Sequence, residues 1–255
     1  MKSERRRELK ANALIWHLQG LPEKIKKYQS QISLVVIVIA LAAVLIQYRI
    51  RSAQDRLAAA QNAVSLAADD LSQLRNMGDN VRQLEYVLLS GKGDPVLYVK
   101  QRDELYFDGV QHADDALQKG PDNQPLLKAH ALLAKGDLNF EMANFPEMPG
   151  AATQPALRPS ESKDDLLSAA ADAYSQALQS YGDLPGIGVA ARFGLAAVAE
   201  NRGQWDEAQN QYQAITGGDA AQAYKDYAKQ RLDILPQLQR SAAMDLGPST
   251  QATTK

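Results

Sequence analysis

The chain has 255 residues and no cysteine, and 28 Lys+Arg against 30 Asp+Glu leave a formal net charge of -2. Near-neutrality excludes wholesale nucleic-acid binding, which needs a strong basic excess, and 45% hydrophobic residues exclude an intrinsically disordered chain. Forty alanines against 6% aromatic residues favour helix over strand, so the predicted fold class is all-α.

Residues 1–27 form a basic stub. Leu9 to Leu21 reads LKANALIWHLQGL, a short helical pattern broken near Gly20-Leu21-Pro22. Lys24, Lys26 and Lys27 follow, placed to meet anionic lipid headgroups. The stub reads either as a docking peptide or as a topology signal, with the second favoured.

Ile32 to Ile46 reads ISLVVIVIALAAVLI, 15 residues whose one polar member, Ser33, can bond back to its own helix. Flanks extend it to Tyr28 and Tyr48, about 30 Å apart as a helix, close to a bilayer's hydrocarbon thickness. An aromatic at each end suits the interfacial belt. We therefore expect a transmembrane helix over 28–48. Eight basic residues precede it and three (Arg49, Arg51, Arg56) follow closely, which places the N-terminus in the cytoplasm and the rest outside. A cleaved signal peptide would be followed by a small-residue cleavage site, but Tyr48, Arg49 and Arg51 follow instead.

Beyond the anchor the periodicity is helical. Leu57, Val64 and Leu71 repeat at seven, with Ala60, Ala67 and Leu74 between them. This 49–78 segment reads as a helical linker ending near Gly78. It is either one strand of a short dimeric coiled coil or a helix packed on its own chain, and alanine at one set of positions favours the latter. A helical domain follows over 79–235, with helices expected near 80–89, 96–119, 124–144, 162–181, 187–201, 205–215 and 220–235. Asn123, Ser162 and Asp164 are capping candidates. Pro146, Pro149, Pro155 and Pro159 interrupt the pattern as an insertion over 145–160, and 236–255 reads as a disordered tail.

One internal similarity stands out. Leu195-Ala196 is followed by Gly203, Trp205, Ala208 and Tyr212, and Ala170, Tyr174 and Ala177 repeat part of this signature 38 positions earlier. Small residues fall where paired helices approach closely, and large ones fill the gaps. These positions resemble the tetratricopeptide-repeat (TPR) pattern, with departures at Arg192 and Ile215. The whole arrangement resembles bacterial membrane-anchored proteins of the ancillary SecYEG translocon subunit type. The resemblance implies an α-solenoid of TPR-like hairpins in the periplasm, anchored in the inner membrane. It also implies protein partners, the Sec translocon and secreted proteins among them. By position it places Phe193, Ala197, Glu200 and Asn201 in a protein-binding groove.

Chemistry-bearing motifs are sparse. The histidines are His17, His112 and His130, and no HExxH, GxSxG or P-loop spacing occurs. His112 with Asp114 and Asp115 is the nearest thing to a cluster, and two groups on one helix face do not close a metal site. We expect no enzyme activity, cofactor or metal. The sequence-level reading is a protein-binding module assisting translocation or envelope protein assembly; the alternative is a scaffold that forms homo-oligomers through its helical linker.

The topology is testable. Protease added to spheroplasts should degrade everything beyond Tyr48 and spare residues 1–27; protection of the body would reverse the orientation.

Overall fold

The computed structural model describes residues 21–89, 94–148, 150–151 and 153–245, and every regular element among them is helical. The chain divides into two compact units, 1–55 and 56–255. The helices are α1 (Leu21–Leu89), α2 (Pro95–Lys119), α3 (Pro125–Ala143), α4 (Lys163–Tyr181), α5 (Ile187–Asn201), α6 (Trp205–Gly217) and α7 (Gln222–Asp245). The short helix expected over Leu9 to Leu21 lies almost wholly outside the described residues.

In the first unit the backbone is helical throughout 28–48. Ile37, Leu41, Val44, Leu45 and Ile46 are all more than half exposed, and Tyr48 is 72% exposed. An apolar helix with no protein around it costs free energy in water. The stretch Ile37–Val81 of α1 is long and apolar enough to cross a membrane, and none of its apolar window is buried by the described residues.

In the second unit α1 runs on past Gly78 to Leu89, joining two stretches that the sequence suggested were separate. A mid-helix glycine costs only about 1 kcal/mol. Here it also leaves room for a neighbour: a Cβ at Gly78 would stand 3.3 Å from Pro146 Cδ. The face Ala60, Ala63, Ala67, Leu71, Leu74, Met77 and Val81 is buried. Ala67, Leu71 and Leu74 pack with Tyr106 and Ala113 of α2 and Leu138 and Met142 of α3. The heptad positions Ala60, Ala67, Leu71 and Leu74 are thus covered by the chain itself. Its seam is spent internally, because alanines let α2 and α3 approach closely.

From α2 onward each helix packs on the next, and α3 also packs on α5. The starts have local causes. Asp94 caps α2 by accepting from the Val96 amide at 2.9 Å, with Pro95 at the first helical position. Ser162 caps α4, its Oγ accepting from the Asp165 amide at 3.1 Å. Asp164 sits in the first turn of α4, favourable for the helix dipole. At α3 the cap position is Gln124 rather than Asn123, and its side chain makes no capping bond.

Two further expectations are corrected. The helix α7 passes through Pro236 and ends at Asp245, so the first part of the expected tail is helical. Pro236 removes one backbone bond, and the apolar stripe continues across it: Leu235 is buried and Leu238 half-buried. Residues 246–255 lie outside those described. The Pro-rich segment is also more than a surface excursion. Met148, Ala151 and Leu157, the last in a 3-10 turn Pro155–Leu157, are buried with Val81 of α1 and Val99 of α2.

Two helices approach closely at Tyr174. Its ring occupies the space over Gly136 of α3 and Gly194 of α5, where an added Cβ would fall 2.5 Å from ring carbons in each case. Gly136→Ala and Gly194→Ala are each expected to lower stability by about 1–3 kcal/mol through overpacking, read from the thermal midpoint by circular dichroism. Gly217→Ala, where nothing lies within 4 Å, should stay within about 0.5 kcal/mol.

Candidate protein-binding face

The four groove candidates lie on α5, and the structure gives them different roles. Phe193 is half-buried, with its ring centroid 6.1 Å from that of Tyr212, 6.3 Å from Tyr224 and 5.4 Å from Tyr227. Such tilted pairs are favourable aromatic geometry. Glu200 accepts a hydrogen bond from the Tyr212 hydroxyl at 2.8 Å and pairs with the Arg231 guanidinium. Ala197 is half-buried between them in sequence. Asn201 is exposed, and its Nδ2 donates to the Ala197 carbonyl at 3.1 Å. Phe193 and Glu200 thus serve the junction of α5, α6 and α7, while Ala197 and Asn201 remain accessible.

What the sequence reading missed is on α7. Tyr224 and Tyr227 are 48% and 53% exposed, yet they flank Phe193. Together with Arg231 they fall at i, i+3 and i+7, one helical face. That spacing is legible in the sequence, but only the packing of α7 on α6, with Phe193 and Trp205 against the same core, pairs this face with α5. The result is an aromatic surface of two half-exposed tyrosines over one half-buried phenylalanine. Both tyrosine rings pair with Phe193 and are about half exposed, which suits packing against an apolar surface.

The repeat-signature residues sit at helix junctions. Ala170, Ala177, Ala196 and Ala208 are fully buried, Tyr174 and Tyr212 nearly so, and Leu195 and Trp205 are half-buried. Gly203 makes the α5–α6 turn at φ +68°, the left-handed region that glycine favours. Arg192 donates to Gln211 of α6 at 3.3 Å, and Ile215 is buried, so both departures from the repeat pattern are used in packing.

The histidine cluster is taken apart. His112 Nδ1 lies 2.8 Å from Asp70 of α1, Asp114 binds Lys135 of α3 at 2.6 Å, and Asp115 binds Lys119 at 2.6 Å. His130 is exposed. Among the described residues no group of three or more His, Asp or Glu is placed to hold a metal ion.

Three buried tyrosines, one on each of α2, α4 and α6, share a chemistry. The Tyr106 hydroxyl stands between Asn139 Oδ1 (2.9 Å) and Glu161 Oε2 (3.3 Å). Tyr174 donates to Asp137 at 2.6 Å, and Tyr212 to Glu200. Burial first, and the neighbouring carboxylate second, push all three hydroxyls above the usual tyrosine range. Because the folded value is raised, the stabilisation is full below about pH 10 and is lost as pH rises beyond it. Tyrosinate absorbance should therefore show part of the 10 tyrosines titrating late, together with loss of helix. All tyrosines ionising together near pH 10 with helices intact would contradict this.

No protein-family model matches the chain, and neither a curated protein nor a solved structure matches it.

Proposed function

We propose that the chain is a membrane-anchored, extracytoplasmic-facing binding protein. Its TPR-like helical hairpins would hold protein segments on the face formed by α5 and α7 and so assist protein translocation or envelope protein assembly. The observation that carries the binding reading is the aromatic surface of Tyr224 and Tyr227 over Phe193. Half-exposed tyrosine rings supported from beneath are typical anchors for protein partners, since they offer large contact area at small entropic cost. The unburied apolar helix in the first unit supports the anchor, and the basic excess before it supports a cytoplasmic N-terminus. The translocon enters through the resemblance of the stub, anchor and repeat signature.

Site-specific photocrosslinking in living bacteria tests this. A crosslinker at Ala197, Tyr224 or Tyr227 is expected to trap protein partners, whereas one at the exposed Gln176 of α4 should not. Translocon subunits or secreted chains among the adducts would support the finer reading. Adducts at Gln176 with none at the three test positions would sink the binding face.

A further inference from the structure

The sequence departs from the repeat pattern at Arg192 and Ile215, and the fold brings both residues to the wall of one cleft. The cleft lies between the α4–α5 turn, the start of α5 and the end of α6, and has a volume of about 530 Å³. That is within the ~300–1,000 Å³ range of small-ligand sites. Part of its wall is apolar: Leu178, Leu184 and Val189 are half-buried, and Ile215 is 1% exposed. Elsewhere Gly182, Gly186, Gly188 and Gly218 keep the wall free of side chains.

Three charged side chains line the cleft: Arg192 of α5, Asp183 of the α4–α5 turn and Asp219 of the α6–α7 turn. Arg192 is half-buried, and its Nη1 donates to Gln211 Oε1 at 3.3 Å. Arg75, Arg102, Arg202 and Arg231 each reach a carboxylate, whereas Arg192 reaches none among the described residues. A half-buried cation is costly to leave without a counter-charge. Gln211 lies one turn before Ala214 and Ile215 on α6, so the guanidinium stands at the α6 edge of the cleft. Asp183 and Asp219 are exposed, and neither makes an ion pair among the described residues. A purely anionic ligand would meet these two carboxylates, and a purely cationic one would meet Arg192. A ligand that carries both charges answers both.

We propose that this cleft binds a small apolar zwitterion, either a free amino acid or a short peptide. Arg192 takes its carboxylate, Asp183 and Asp219 face its ammonium group, and its apolar side chain packs on Leu184 and Val189. The cleft shares no residue with the aromatic surface of Phe193, Tyr224 and Tyr227, so this site stands apart from the proposed binding face.

Ligand-observed NMR titration of the full chain in nanodiscs tests the site, with leucine and leucyl-leucine as probes. At least one should bind with a dissociation constant of about 1 mM or below, and the tighter of the two identifies the source of the zwitterion. Amidating the carboxylate of that probe, or acetylating its amine, should each weaken binding about tenfold. Arg192→Gln should weaken the free probe about tenfold and leave the amidated probe unaffected, a coupling that a merely structural role for Arg192 would not produce. Asp219→Asn, a change at an exposed position, should weaken the free probe severalfold and leave the acetylated probe unaffected. Tyr227→Ala should change none of these values, which separates the cleft from the aromatic surface. No saturable binding of either probe at ten times the expected constant would overturn the proposal. Blocked probes that bind as well as free ones, binding undiminished by Arg192→Gln, or binding lost in Tyr227→Ala would overturn it equally.

Discussion

The second unit is organised around the ring of Tyr174. It projects from α4 into a gap that exists because α3 and α5 each carry glycine at the point of contact, Gly136 and Gly194. Its hydroxyl donates to Asp137, whose other oxygen lies 3.5 Å from Arg75 of α1; Arg75 also reaches Glu141 at 3.2 Å. One side chain therefore ties together four helices. A buried aromatic ring contributes about 1.5–3 kcal/mol by area, and its hydrogen bond to a charged acceptor adds a similar amount. Neither is available unless both backbones come close, so the glycines and the tyrosine function together.

The same device recurs with variations. Tyr106 reaches Asn139, and Tyr212 reaches Glu200 and, through it, Arg231 of α7. Around each tyrosine the partners are small: Ala113, Ala170, Ala196 and Ala208 are all fully buried. Alanine faces let helices approach until a tyrosine spans the junction and reaches a polar group beyond it. Every such hydroxyl needs an acceptor, since an unmet one would cost about 1–3 kcal/mol. The acceptors Asp137, Asn139 and Glu200 supply it. Glu200 is thereby drawn into the framework, while Tyr224 and Tyr227 stay about half exposed beside Phe193.

Apolar surface is handled in three ways along the chain. On α1 beyond Arg56 it is covered by α2 and α3. At Val81 and Val99 it is covered by Met148, Ala151 and Leu157 of the Pro-rich segment. From Ile37 to Ile46 none of the described residues covers it. Burial against neighbouring helices and burial under a proline-rich segment answer the hydrophobic constraint within the fold, and the described span at Ile37–Ile46 meets it with neither.

Composition and period were enough to give an all-helical chain, an apolar span before residue 48, and most helix limits within a few residues. These follow from local properties: alanine's propensity, unbroken apolar runs, and caps such as Asp94 and Ser162. Three features were not legible in that way. Gly78 and Pro236 read locally as stops, yet the helix continues through both because packing on each side outweighs a cost of about 1 kcal/mol for the glycine and about 3 for the proline. The Pro-rich segment read as an insertion because prolines forbid helix, while its inward-facing Met148, Ala151 and Leu157 have no period to reveal them. The aromatic surface was seen by half: Phe193 was found on α5 by position, but Tyr224 and Tyr227 stand beside it only because α7 packs back against the α5–α6 pair. Local sequence thus determined which segments are helical and which face of each is apolar. Tertiary structure decided which helix ends are overridden and which faces meet, because these depend on contacts between residues distant in the chain.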